Sequence, residues 1–189
     1  TRKGKIVLLE KVIEEAINLA SQNITEKNPT LANKDEVAKM VGVGAIIFQD
    51  LKNDRMNNIE FSLEQMLKFD GETGPYVQYS IARTNSILDK AQLKDFSKQE
   101  GLDDSYSWEI IKIIVEFPNK VTRSFDQFEP SIIAKYTIDL AQSFNKYYGN
   151  THILTNDDQL ESRLALIKVV SLVLEEGLRI LGIRAPKEM

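Results

Sequence analysis

The chain has 189 residues, 42% of them hydrophobic, which is enough for a real core and allows one large domain or one domain with part of another. It has no cysteine, which excludes disulfides, thiolate chemistry and Cys-based zinc sites and fits a reducing, cytoplasmic setting. With 24 Lys and Arg against 28 Asp and Glu the net charge is −4, which argues against indiscriminate binding to nucleic-acid phosphates, so any such contact must use a local surface.

Thr1-Arg2-Lys3-Gly4-Lys5 and the short apolar run after it are too brief for a signal peptide and read as the start of a piece cut from a longer chain. No apolar run approaches the roughly 20 residues that span a bilayer, so no membrane partner is expected. A first helix is predicted over Glu10–Ile24, with Val12, Ala16, Leu19 and Ala20 at helical spacing and Glu10, Glu14 and Glu15 near its start. Asn28-Pro29-Thr30 ends it. A second helix is predicted to begin at Asn33, as a cap, with Glu36 closing a capping box and Val37, Val41, Phe48 and Leu51 as its stripe. Gly42 and Gly44 lie inside it, where glycine costs about 1 kcal/mol relative to alanine, so they predict close approach of a neighbouring backbone. Lys52–Asn58 reads as a loop, Ile59-Glu60-Phe61 as an extended piece, and Ser62 with Gln65 as the start of another capped helical stretch.

Asp70-Gly71-Glu72-Thr73-Gly74-Pro75 is the strongest break, and a domain boundary is placed between residues 1–74 and 75–189. Beyond it the pattern is helical throughout: Pro75–Ala91, Ser107–Phe117, Asn119–Phe128, Pro130–Tyr148 and Asp157–Leu181. For the last, Asn156 and Gln159 suggest a capping box. Its stripe is Leu164, Ile167, Ser171, Leu174, Leu178 and Leu181, and Gly182 with Pro186 ends it. The expected fold is mainly all-α, an antiparallel helical bundle with short connections.

At about 100° per residue, Val77, Ile81, Thr84, Leu88 and Ala91 form the core face of the helix that starts at Pro75. Tyr76, Tyr79, Arg83 and Lys90 gather on another face, centred roughly 130° away. Two tyrosines and two cations off the core face suit unpaired bases, because rings stack on bases and Arg pairs a phosphate or stacks. From spacing alone the tyrosines fit equally well as packing against a neighbouring helix.

Gly71-Glu72-Thr73-Gly74-Pro75-Tyr76-Val77-Gln78-Tyr79-Ser80-Ile81-Ala82-Arg83 resembles the G-x-T-x-P-Y-x-Q-Y-x-x-x-R segment of arginyl-tRNA synthetases. Three further stretches match in the family's order: Thr1-Arg2-Lys3-Gly4, Val41-Gly42-Val43-Gly44-Ala45, and Arg163-Leu164-Ala165-Leu166 on to Met189. The resemblance spans essentially the whole chain. It implies that residues 1–74 end a class I catalytic domain and that residues 75–189 are an all-helical anticodon-binding domain of the DALR type. It further implies that Tyr76, Tyr79 and Arg83 face the anticodon loop, joined by Tyr148 or Tyr147 and by the terminal Met189. Thr1, Arg2, Lys3 and Gly4 resemble the tail of the KMSKS-like loop that holds ATP phosphates, with its upstream half missing. The implied partner is the anticodon stem-loop of the arginine tRNA, not DNA. ATP, Mg and arginine are implied for the intact enzyme and none of them for this piece, which is expected to be catalytically inactive alone.

Other features carry less. His152, the only histidine, reads as a loop residue, so a multi-histidine metal site or a Ser-His-Asp triad has little to recommend it. Asp157-Asp158 reads as serving a helix start, Glu175-Glu176 and Asp103-Asp104 as solvated faces, and Trp108 with Ile111 and Val115 as core. The rival function is a helical protein-interaction module built on Tyr76, Tyr79 and Tyr148, and an autonomous enzyme is a weaker rival.

Overall fold

The structure is a computed structural model that describes residues 8–54, 56–57, 61–92 and 101–189. Its helices are α1 (Leu9–Lys27), α2 (Lys34–Leu51), α3 (Leu63–Met66), α4 (Gly74–Ala91), α5 (Ser105–Val115), α6 (Phe117–Gln127), α7 (Ser131–Asn150) and α8 (Leu160–Ile180), and the described residues hold no strand. The all-α expectation is met. The expected Thr1–Gly4 loop tail, and Ile59-Glu60 of the expected extended piece, lie outside the described residues.

Two apolar clusters organise the chain. The smaller joins Ala16, Ala20 and Ile24 of α1 to Val37, Ala38, Val41 and Ala45 of α2, with Met66 and Leu67 beneath. Gly42 makes this closeness possible: a Cβ there would sit 2.8 Å from Ile17 Cα and 2.8 Å from Ile17 N, inside the α1 backbone. The larger cluster is built of Ile81, Ile110, Ile133, Leu140, Phe144, Tyr147, Leu164, Ile167, Leu174 and Leu178 from α4, α5, α7 and α8, with Phe48 reaching in from α2. Gly177 lets α8 lie against Thr137 of α7, and Gly74 lets the start of α4 lie against Phe48. The expected α8 stripe is buried at all six of its positions.

Several local expectations need correction. Asn33 adopts φ 53°, a left-handed conformation, and its side chain caps nothing, so the box with Glu36 does not form. Asn156 does not cap α8 either. That helix begins at Leu160, and Arg163 takes over the turn before it, donating to the carbonyls of Ile153 and Thr155 and pairing with Asp157 at 2.8 Å. This bond to Arg163 holds the Asp157 carboxyl below its usual range, and Asp157 also accepts from Gln159 N at 3.0 Å. Asp104 is a cap rather than a solvated charge, accepting from Ser107 N at 2.9 Å. The box at Ser62 does form, since Ser62 Oγ accepts from Gln65 N, but only a single turn follows.

Trp108 is not core. It is 52% exposed and Val115 67% exposed, because α5 turns Ile110 toward α7 and α8, and residue 108 lies about 200° around the helix from it. The α5 sequence is apolar on nearly every side, so its spacing does not single out a face. His152 is exposed, in the loop after α7.

Candidate nucleic-acid interface

Helix α4 starts where its sequence dictates. Thr73 Oγ1 accepts from Tyr76 N at 3.1 Å, and Pro75 occupies the first turn, where its missing N–H is harmless. Val77, Ile81 and Thr84 are buried, as the core face predicts, while Leu88 and Ala91 are only half-buried. The helix is enclosed further round than expected, for Gln78, Ser80 and Ala82 are buried too. Gln78 donates from Nε2 to the carbonyls of Met40 at 3.2 Å and Arg184 at 2.7 Å, tying α2, α4 and the carboxy-terminal tail at one point.

The opposite face is open. Tyr79 and Arg83 from α4, Tyr148 from α7 and Met189 from the tail line one cleft of about 700 Å³, with Asn28, Lys90 and Glu188 at its margins. The Arg83 guanidinium carbon lies 4.8 Å from the Tyr79 ring centre and 4.8 Å from that of Tyr148, so the cation sits between two rings. Further rings adjoin both tyrosines. Phe69 meets Tyr79 edge-on at 6.1 Å with Lys27 4.3 Å above the Phe69 ring, and Phe144 lies 6.3 Å behind Tyr148.

Tyr148 is 45% exposed, whereas Tyr147 is wholly buried in the larger cluster. Among the described residues the Tyr147 hydroxyl has no hydrogen-bond partner, and burial pushes its pKa up to about 12. Of the two candidates, only Tyr148 reaches the cleft. The α7 stripe Ile133, Thr137, Leu140, Phe144, Tyr147 runs at helical spacing and carried this distinction in the sequence.

Tyr76 stands apart from the other candidates. It is half-buried against the larger cluster, outside the cleft lining, and its hydroxyl accepts from Asn145 Nδ2 at 3.0 Å. Asn145 also accepts from Arg83 Nη1. Sequence reading passed over Asn145, because a single carboxamide on a helix leaves no periodic signal. Met189 is held on the α1 side: its carbonyl accepts from Asn28 Nδ2 at 3.3 Å and its side chain packs on the smaller cluster. The tail before it is fixed by Asn85 Nδ2 to the Lys187 carbonyl at 3.3 Å.

The helical bundle that carries this cleft has clear counterparts among known proteins. Residues 77–189 match the DALR anticodon binding domain, and the chain belongs to that family. Residues 1–63 match the class I (R) tRNA synthetase catalytic domain. Over all 189 residues the chain is 60% identical to an arginine–tRNA ligase of Exiguobacterium sibiricum, and 58% identical to arginine–tRNA ligase 2 of Bacillus anthracis. It spans 34% of the length of each of these relatives. Among solved structures, the arginyl-tRNA synthetase of Thermus thermophilus superposes with a TM-score of 0.93 at 36% identity, covering 97% of this chain and 32% of that one. The enzyme of Plasmodium falciparum gives 0.88 at 25% identity, covering 97% and 34%.

Proposed function

We propose that the cleft between α4, α7 and the tail grips the unpaired bases of the arginine tRNA's anticodon loop, and that the whole protein ligates arginine to that tRNA with ATP and Mg²⁺. The observation that carries this reading is the Arg83 guanidinium between the Tyr79 and Tyr148 rings, on an open cleft that ends at Met189. The rings offer stacking faces, the guanidinium offers donors and a positive charge, and the thioether of Met189 offers an adaptable apolar contact. Tyr76 supports the grip from the side, through Asn145 and its own hydroxyl.

In this reading residues 75–189 are the anticodon-binding domain and residues 1–74 the end of the catalytic domain, with Thr1, Arg2, Lys3 and Gly4 near the ATP phosphates. The two family matches, which end at residue 63 and begin at residue 77, support a division of that kind. A cytoplasmic setting fits the absence of cysteine. Those matches lend nothing to the protein-interaction alternative.

The grip has a direct test. Tyr79→Ala should weaken binding of the arginine tRNA by the stacking of one base, about 1 to 3 kcal/mol or roughly 5- to 150-fold, at one fixed salt concentration. Circular dichroism should show the bundle unchanged. Equal affinity of parent and variant refutes the reading, and a binding constant that ignores salt points to a protein partner instead.

A further inference from the structure

Asn145 on α7 makes three hydrogen bonds, and two of its partners fix its orientation independently. Arg83 can only donate, so the carboxamide atom that faces its Nη1 is the oxygen. Ser80 spends its single proton on the Tyr76 carbonyl at 2.9 Å, so its Oγ must accept, and the atom facing it at 2.8 Å is the amide nitrogen. The same nitrogen donates to the Tyr76 hydroxyl at 3.0 Å, which leaves the tyrosine's own proton for another acceptor. Three residues further along α7, Tyr148 covers the guanidinium with its ring. Asn145 and Tyr148 thus hold Arg83 from two directions, one by a hydrogen bond and one by a ring face.

We infer that Asn145 is a positioning residue of the RNA grip: it anchors the Arg83 guanidinium between the Tyr79 and Tyr148 rings. This rests on the anticodon-binding reading above. The side chain supplies no charge of its own, so the Arg83 cation stays available to a phosphate or base, which a carboxylate at this position would not allow. Asn145→Asp keeps the shape but reverses this chemistry. The carboxylate cannot donate to Ser80 or Tyr76, and it pairs with Arg83 and cancels the charge offered to RNA.

The test is a double-mutant cycle in the full-length protein, read by binding to an RNA stem-loop that carries an arginine anticodon. Asn145→Asp should weaken binding by about tenfold, the scale of one charge-assisted contact between Arg83 and the RNA when the carboxylate takes up that cation. It should also reduce the slope of log affinity against log salt by about 0.7, one phosphate contact on a single strand. In an Arg83→Ala background the same change should alter affinity less than about twofold, because Asn145 acts through Arg83. Asn145→Ala, run through the same cycle with circular dichroism on every variant, keeps the test decisive should the aspartate variant not fold. Equal losses in both backgrounds with an unchanged salt slope would mean a merely structural role and overturn the inference. A parent protein that does not bind the stem-loop overturns this inference and the functional reading together; a parent that binds with additive losses overturns this inference alone.

Discussion

The two apolar clusters are built on different economies of packing, and the cleft lies where they meet. The α1–α2 pair is held by small residues, Ala16, Ala20, Ala38, Gly42 and Ala45, so its backbones nearly touch. The α4–α8 bundle is filled by large side chains, Tyr147, Phe144, Ile133, Leu164 and Leu174 among them. A close-packed pair of small residues supplies little transferable apolar area but sets position narrowly, whereas a bundle of large residues supplies most of the burial energy. The cleft uses both. Tyr79, Arg83 and Tyr148 stand on the bundle, while Met189 rests on the pair and is tied to Asn28 at its edge. The tail joins the two, with Ile183 in the bundle and Met189 against the pair.

Breaking each body separately sharpens this contrast. The largest effect is expected at Gly177, where even a Cβ would overlap the methyl of the buried Thr137. Gly177→Val should cost the bundle about 3 kcal/mol in urea unfolding, and should weaken the whole cleft with it. Gly42→Ala should cost less, about 1 to 2 kcal/mol, because the overlap with Ile17 is partly offset by the better helix propensity of alanine. Hydrogen exchange should quicken in α1 and in the Asn28–Met189 contact while α7 and α8 keep their protection. Equal quickening everywhere would show one cooperative body rather than two joined ones.

The smallest effect is expected at Tyr147. Its folded pKa is raised by burial, to about 12, above the ordinary value of 10.0, so the folded state holds its proton more tightly than the unfolded state does. That contribution to stability is fully present below pH 10 and is lost as the pH rises from there through 12. Tyr147→Phe should remove this alkaline loss and, by deleting a buried hydroxyl that has no partner among the described residues, leave neutral stability equal or up to about 1 kcal/mol higher. Thermal melts of parent and variant at neutral and alkaline pH measure both.

What the sequence made legible follows the same division. The α8 stripe, the start of α4 at Thr73 and Pro75, and the close approach at Gly42 all rest on periodicity or on backbone rules, which are local. The misplaced features depend on neighbours that no local rule supplies. Trp108 is exposed because α5 is apolar nearly all round and α7 and α8 take its Ile110 side. Asn33 and Asn156 look like caps, but Asn33 takes a left-handed turn instead, and Arg163 satisfies the loop before α8. In the candidate site, Tyr79, Arg83, Tyr148 and Met189 come together from three separate elements, whereas Tyr76, of the same expected set, lies outside the lining. The bonds from Asn145 and Gln78 join residues far apart in the chain, so nothing in their sequence surroundings announces them.

A gel-shift comparison tests most directly the proposal that this cleft reads anticodon bases. At one salt concentration the protein should bind an arginine tRNA more tightly than the same tRNA carrying a changed anticodon, by about tenfold or more for a base contact that is lost. The preference should disappear when Tyr79 and Tyr148 are both replaced by alanine in a chain that still folds. Equal binding of the two RNAs by the parent protein would contradict the account.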